Sequence, residues 1–346
     1  MATIAAGLAV VVLAVVTFSY AQYRLGQVRR ISVAGLSHDA HSSGETILVV
    51  GSDSRAGNSG ADAAHFGSTS AVTGQRSDTI LLLHLEPGTR TASLMSVPRD
   101  LWVTIPGKGT KQRINTTFDV GPGLLVRAIH DDLGIAVDHF VQVDFQSFRR
   151  VVDAVGGVKV YFPTPARDAF SGLNITTPGC YGMSGDMALS FVRSRHYQYR
   201  EGNRWISEAA SDEARIHRQQ FFVRKMLAAA KATGPLDLPR VNRIVGGVAP
   251  NLTVDSHFSQ GRMLSLARTY RNLTPDQLPS VTLPTTPAVI SGNDVLLLKE
   301  PGGRQTIDGF LHPAPPPPPA AAAPGGPPPP PPAYPLPGLV GPLPPC

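Results

Sequence analysis

Two apolar runs separated by five residues constrain this chain more than any other feature. The first covers residues 79–85 (TILLLHL) and is entered through Arg76-Ser77-Asp78. The second covers residues 91–97 (TASLMSV) and is left through Pro98-Arg99-Asp100. Both are short and bounded by turn residues, so both read as strands. The link Glu86-Pro87-Gly88-Thr89-Arg90 reads as a hairpin connection. In an antiparallel pair the start of one strand lies beside the end of its partner. Arg76, Asp78, Arg99 and Asp100 are therefore expected to meet at one end of a sheet. Such a charge cluster is costly for a merely structural edge, and it fits a site for a phosphate and a divalent cation.

The chain on either side supplies the rest of a sheet. Residues 46–50 (TILVV) read as a fully buried strand, followed by Gly51-Ser52-Asp53-Ser54-Arg55. Gly51 is expected to let the backbone turn sharply there. If this strand runs parallel to residues 91–97, Asp53 and Arg55 join the cluster. Residues 56–75 are rich in Gly, Ser and Ala, lack periodicity, and suit a mobile flap. Strands over 101–105, 137–145 and 158–162 alternate with helices over 124–133, closed by Gly134, and 147–155, stopped by Gly156-Gly157. Repeated strand–helix–strand steps imply an α/β fold, a central mixed β-sheet sandwiched by α-helices. Residues 177–185 read as a loop, with Ser184 capping a short helix over 186–191. Residues 197–210 read as polar and irregular. A strong helix starts at Asp212, runs to Lys231 and ends at Gly234-Pro235. Its Asp212, Arg215 and Gln219 fall at i, i+3 and i+7, on one face. Residues 236–284 read as further helices with one strand near 280–283.

The two ends differ from this middle. Residues 2–21 form a nearly unbroken apolar run of bilayer length, flanked by Tyr20 and Tyr23. An uncleaved anchor fits better than a signal peptide, since no basic segment precedes the run and no A-x-A-like cleavage signal follows it. Arg24, Arg29 and Arg30 follow the run, and alone they would keep the bulk of the chain in the cytoplasm. A basic segment upstream of Met1 is therefore expected. Of 33 prolines, 18 lie between Pro313 and Pro345, in a tract with polyproline II character and no means of forming a core. The expected division is a transmembrane anchor (1–22), a juxtamembrane linker (23–45), a catalytic domain (46–290) and an extension (291–346), disordered from about 313. Cys180 and Cys346 lack metal-site spacing; Cys180 reads as a buried thiol rather than a partner for a flexible tail. The net charge of +6 is mild, and no basic stripe interleaved with aromatics points to nucleic acid.

The remaining charged candidates are Arg193, Arg195, Asp212, Arg215, Arg218 and Gln219. Any one arginine is ordinarily a solvated surface group; together these fall at strand ends, beside Gly or Pro, or on one helix face. Arginine grips phosphate through a planar fork, and several around a carboxylate pair suit a pyrophosphate partly met by Mg²⁺. Neither G-x-x-x-x-G-K-[ST] nor G-x-S-x-G occurs, and no G-x-G-x-x-G opens a helix after a strand. His196 and His217 lack partners at ligand spacing and read as surface polar groups.

Six motifs in order carry a resemblance over residues 46–283. They are ILVVGSDSR from Ile47, RSDT from Arg76, SVPRD from Ser96, RIN from Arg113, ALSFVRSR from Ala188, and Asp212-x-x-Arg215-x-x-Arg218-Gln219-Gln220. The chain resembles the LytR–CpsA–Psr family of cell-wall glycopolymer ligases, in an actinobacterial style. The resemblance implies an α/β sandwich on a single membrane anchor, facing outside the cytoplasm. It implies Mg²⁺-dependent transfer of a phosphoglycosyl unit from a polyprenyl diphosphate carrier to peptidoglycan, with arabinogalactan or a related polymer as cargo. It implies that Asp53 and Asp78 match the metal-holding carboxylates. Arg76, Arg99, Arg193, Arg195, Arg215 and Gln219 match the diphosphate-binding set. It also implies a hydrophobic pocket in the core for the polyprenyl tail. Arg99, Asp100, Arg193 and Arg195 are the expected catalytic residues, with Asp100 either a base or a brace for Arg99. The stretch between Arg195 and Asp212 is long, which leaves the relative placement of the two arginine groups open. The rival readings are a lipid or nucleotide diphosphate hydrolase, and a non-catalytic wall-binding scaffold.

Overall fold

A computed structural model describes residues 26–37, 44–52, 77–208, 211–232, 246–249, 252–314 and 346. The apolar run at 2–21, the expected flap at 56–75, Asp53, Arg55, Arg76, the helix stop at Gly234-Pro235 and the proline tract at 315–345 lie outside the described residues. Among the described residues no helix is long and apolar enough to cross a membrane.

In chain order the elements are β1 (Arg29–Ile31), β2 (Glu45–Ser52), β3 (Ser77–Glu86), β4 (Thr91–Val97), β5 (Trp102–Thr104), β6 (Lys111–Arg113), α1 (Asn115–Val120), α2 (Pro122–Leu133), β7 (His139–Asp144), α3 (Phe145–Ala154), β8 (Val158–Phe162), β9 (Ala166–Asp168), β10 (Leu173–Ile175), β11 (Gly179–Met183) and α4 (Gly185–Arg193). There follow β12 (Gln198–Glu201), β13 (Arg204–Ser207), α5 (Ser211–Lys231), β14 (Thr253–Asp255), α6 (Gln260–Thr269), β15 (Ser280–Thr282), β16 (Thr285–Ile290), β17 (Asn293–Leu298) and α7 (Gly302–Leu311).

The expected hairpin is the centre of a seven-stranded mixed sheet, ordered β1-β14-β7-β2-β3-β4-β15. β3 is antiparallel to both β2 and β4, so β2 and β4 run the same way, as the cluster at their ends requires. β7 joins β2 in parallel, and β15 joins β4 in parallel. Side chains alternate across a strand, and this alternation makes two cores. Leu48, Val50, Ile80, Leu82, Met95 and Val97 face α1, α2 and α7. Ile47, Leu81, Ala92 and Leu94 face Val254, Leu266 and Leu278 on the other side. A third core joins β8–β11 and the small sheet β10-β9-β12-β13 to α3, α4 and α5 through Phe162, Phe191 and Phe222. Local signals set the helix ends: Asp144 and Ser184 cap α3 and α4 by accepting from Ser147 N and Met187 N, and Gly134 closes α2 at φ 73°.

Four expectations need correction. Residues 197–210 contain the hairpin β12–β13 instead of irregular chain, because Gly202 at φ 56° supplies a tight turn between two polar strands. The expected loop at 177–185 contains β11, which pairs with β8. The limits at 45 and 290 cut through folded structure. β1 lies inside the expected linker, with Val28 and Val33 buried, and the hairpin β16–β17 spans residue 290. α7 then buries Ile307 and Phe310 in the first core, and Ser93 Oγ donates to the Phe310 carbonyl at 2.6 Å. Burying side chains of this size is worth about 1.5–3 kcal/mol each. Finally, Cys180 is no buried thiol. It sits exposed on β11 and is disulfide-bonded to Cys346, 166 residues away.

The far edge of the large sheet is fastened by charge. His139 Nε2 lies 3.1 Å from Glu45 Oε1 and its Nδ1 3.1 Å from Asp255 Oδ2, with the ring stacked on Phe258 at 4.2 Å. Arg262 also pairs with Glu45. Burial disfavours the imidazolium, but the two carboxylates outweigh it and push His139 up to about 9. A folded-state value above the ordinary 6.5 means stability that is fully present below pH 6.5 and is lost as pH rises through about 9. Thermal melts should therefore show a melting temperature that falls from neutral pH to pH 10, and His139→Gln should flatten that fall.

Candidate active site

The same end of the sheet collects the C-terminal ends of β2, β4, β7 and β15 and the start of β3. Ser52 lies opposite both Ser77 and Asp144, and Thr282 opposite Ser96. Asp78 is the second residue of β3, and Arg99 and Asp100 follow β4 in the turn closed by Leu101 N to Pro98 O at 3.0 Å. Arg195 comes from the turn after α4, while Asp212, Arg215 and Gln219 come from the first three turns of α5.

These groups meet. Asp78 Oδ1 accepts from Arg99 Nη1 at 2.8 Å and from Arg195 Nη2 at 3.3 Å. Asp212 Oδ1 lies 3.4 Å from Arg195 Nε and 2.9 Å from Arg215 Nη2. Three guanidinium groups thus share two carboxylates. Burial pulls Arg215 down to about 10; Asp212 opposes this, and Arg195 and Arg99 reinforce it. Arg215 is only 3% exposed, and its buried Nε has no hydrogen-bond partner among the described residues. Burial would raise Asp78, but Arg195, Arg99 and Arg215 outweigh it and hold the carboxyl below its usual range. Gln219 Nε2 donates to Thr79 Oγ1 at 2.9 Å and to the Val192 carbonyl at 3.3 Å.

Asp100 stands between two arginines. Its Oδ2 lies 3.3 Å from Arg99 Nε and its Oδ1 3.7 Å from Arg113 Nε, so both oxygens face guanidinium groups. Arg193 stands beside the cluster with its guanidinium 4.4 Å over the Phe145 ring. Arg76 and Asp53 lie outside the described residues. Gly51 acts through close approach, since a Cβ there would lie 3.0 Å from Thr79 Cβ, the residue that holds Gln219.

Sequence reasoning misses the group that aims Arg195. Asp168, 1% exposed, accepts from the Arg195 and His196 N–H groups at 3.0 and 2.9 Å and from Ser194 Oγ at 2.6 Å. Its other oxygen accepts from Phe170 N at 2.9 Å and Ser171 N at 3.2 Å. Burial raises the carboxyl, but these donors outweigh it and hold Asp168 below its usual range. Beneath it Arg218, fully buried, donates to the Ser194 carbonyl and Glu208 and lies 4.9 Å over the Tyr197 ring. No motif marks Asp168; it is one acidic residue on a three-residue strand.

Part of the cluster also lines a cavity of about 480 Å³. Asp78, Arg193, Arg195, Arg215 and Gln219 stand at its charged rim. The walls are apolar: Val49 and Leu81 from the sheet, Phe148 and Leu189 from α3 and α4, and Phe222, Val223 and Met226 from α5, with Leu252.

A fold with this rim and cavity places the chain in a known class. Residues 17–307 match the LytR_cpsA_psr family, and the chain belongs to it. It is 33% identical over 253 residues to the Probable cell wall biosynthesis protein LcpB of Corynebacterium glutamicum, covering 71% of this chain and 57% of that protein. It is 34% identical over 151 residues to the polyisoprenyl-teichoic acid–peptidoglycan teichoic acid transferase TagU of Bacillus subtilis, covering 43% of this chain and 44% of that protein. The chain thus spans about half the length of these relatives. Among solved structures, the LytR-Csp2A-Psr enzyme from Actinomyces oris superposes with a TM-score of 0.64 at 26% identity, covering 82% of this chain and 95% of that one.

Asp168→Asn keeps the shape and removes the charge that orders the Arg195 turn. It should weaken inorganic pyrophosphate binding by about 1.5–3 kcal/mol, read by calorimetry, with a melt confirming the fold.

Proposed function

We propose that this chain is a phosphotransferase that moves a glycopolymer from a polyprenyl-diphosphate carrier to peptidoglycan, leaving a phosphodiester link. The single observation that carries this reading is an apolar cavity whose lining includes Asp78, Arg193, Arg195 and Arg215, with Arg99 paired to the same Asp78. A diphosphate fits the rim and an apolar chain fits the walls, so one ligand with both parts explains the pairing. Burying such a chain is worth about 0.8 kcal/mol per methylene. The names of the relatives agree with it, one a teichoic acid transferase and one a cell wall biosynthesis protein. The proposed cargo, arabinogalactan or a related polymer, rests on the actinobacterial look of the sequence; the corynebacterial relative is named for cell wall biosynthesis alone.

In this reading Arg99, Arg195 and Arg215 hold the diphosphate oxygens and offset the charge that gathers on them as the bond breaks. An acceptor hydroxyl attacks the phosphorus nearer the sugar. A new P–O bond forms, the bond to polyprenyl phosphate breaks and polyprenyl phosphate leaves as the anion, and the hydroxyl proton passes to solvent water. Asp100 braces Arg99 and Arg113, Gln219 fixes Thr79 against Gly51, and Asp168 fixes the Arg195 turn. Asp78 suits a Mg²⁺ ion held jointly with substrate phosphates, because its neighbours keep it ionised and Mg²⁺ takes one or two carboxylates in such sites. Asp53 is the second carboxylate in this reading. Bound Mg²⁺ would neutralise phosphate charge.

We place the domain outside the cytoplasm on a single-pass anchor formed by residues 2–21. The Cys180–Cys346 disulfide supports that side, since disulfides persist in oxidising compartments.

Arg99→Ala and Arg195→Ala should each lower transfer by roughly 10²–10³-fold with the fold intact. Incubation with a polyprenyl-diphosphate sugar, Mg²⁺ and peptidoglycan oligomers, followed by mass spectrometry, measures it. Unchanged turnover in either variant would sink the reading, and product formed without a glycan acceptor would make the chain a hydrolase. Chelation by EDTA should abolish transfer and added Mg²⁺ restore it.

A further inference from the structure

The hairpin β12–β13 has no task in the site as described, yet it is inserted between two of its members, Arg195 and Asp212. It completes the four-stranded sheet β10-β9-β12-β13. The inner face of that sheet is core, with Ala166, Asp168, Leu173 and Ile175 buried. Its outer face is a row of polar and planar groups. Arg167 lies opposite Gln198, Gln198 opposite Ser207, and Arg200 opposite Trp205. The Arg167 guanidinium lies 4.1 Å over the Trp205 ring and donates Nε to Gln198 Oε1 at 2.9 Å. Arg200 donates to the Gly202 carbonyl at 3.2 Å and to Asn203 Oδ1 at 3.4 Å. Among the described residues neither arginine is paired with a carboxylate.

The sheet meets the rim through the end of β9. Asp168 ends β9 and holds the backbone of Arg195 and His196, so the sheet and the diphosphate clamp share one carboxylate. Phe170, in the next turn, is 79% exposed, lies tilted against the His196 ring at 4.3 Å and belongs to the cavity lining.

We infer that the outer face of this sheet is the acceptor subsite, a track for a glycan strand that carries carboxylates. The inference rests on the transferase reading and deepens it. Arg167 and Arg200 meet the carboxylates, as guanidinium forks do. Sugar rings lie along the Arg167–Trp205 array and on Phe170, which delivers a hydroxyl to the rim from outside while the lipid fills the cavity. A membrane is the weaker occupant of this face. A seated face would show several large apolar side chains, and here Phe170 is the one large hydrophobic exposed among the described residues of the sheet and its turns.

The test is calorimetry on the whole protein with soluble peptidoglycan strands bearing free stem carboxylates, beside inorganic pyrophosphate as a reading of the rim. Trp205→Ala and the double variant Arg167→Ala/Arg200→Ala should each weaken strand binding at least tenfold and leave pyrophosphate affinity and the melting temperature in place. Amidating the stem carboxylates should produce the same loss with unaltered protein. If Trp205→Ala fails to fold, Arg200→Glu on the exposed hairpin replaces it and should lose more than Arg200→Ala. Strand affinity unchanged in the double variant overturns the inference. So does a loss of binding to anionic phospholipid vesicles with strand binding kept. Normal transfer with an unaltered acceptor KM in these variants removes the track and leaves the transferase. Strand binding that the variants lose, in a wild-type protein that transfers nothing, keeps the track and removes the transferase.

Discussion

Three guanidinium groups do not gather at a rim unless anions hold them there. Among the described residues Asp78, Asp100 and Asp212 supply three negative charges to Arg99, Arg113, Arg195 and Arg215, one charge short. The shortfall shows in Arg215, the most buried of them, which burial and its two neighbours pull down to about 10. A buried guanidinium with an unused donor is costly alone. In the proposed function a substrate oxygen would take that unused donor, so diphosphate binding would remove this cost. The remainder of the fold can be understood as what keeps this cluster together while it is short of charge.

That support comes from outside the cluster. Arg99 is held through Asp100, which also contacts Arg113, and Arg113 donates Nε to the Asp294 carbonyl at 3.0 Å. Arg195 is held through its backbone by Asp168, and that turn is fixed from below by Arg218. Gln219 is held by Thr79, whose approach to β2 requires glycine at 51. Each contact runs from a rigid element to a side chain at the rim. Under the proposed function such positioning matters, because phosphoryl transfer is promoted mainly by placement and charge.

How much was legible in the sequence depends on range. The hairpin β3–β4 was legible because five residues link two apolar runs, and its register then fixed Asp78 beside Arg99. The helix face of Asp212, Arg215 and Gln219 was legible from spacing alone. What failed was long-range or weakly patterned. β9, β10 and β14 are three residues each and leave no periodicity to detect. β12 and β13 are polar on one face and half-buried on the other, so they resemble loop until β9 pairs with them. Asp168 meets Arg195 only because two short strands bring their ends together. Cys180 looked like a core thiol because nothing local shows that β11 exposes it.

The cavity lies beyond sequence reading for a different reason. Val49, Leu81 and Val223 are apolar residues on a strand or helix face, and apolar faces normally mean packed core. Whether a face is filled depends on how far apart the opposing elements stand, and that distance is set elsewhere. Here α5 is pinned at its start by Arg215, Arg218 and Gln219, each tied to the rim or to the Ser194 turn. Gln220 fixes the same helix to the sheet edge through Ser96 Oγ and the Val281 carbonyl, both at 2.9 Å. Polar anchors at the helix start hold that spacing. The charged cluster and the apolar cavity are thus one design, because residues in and beside the cluster also hold the helix against the sheet at that distance.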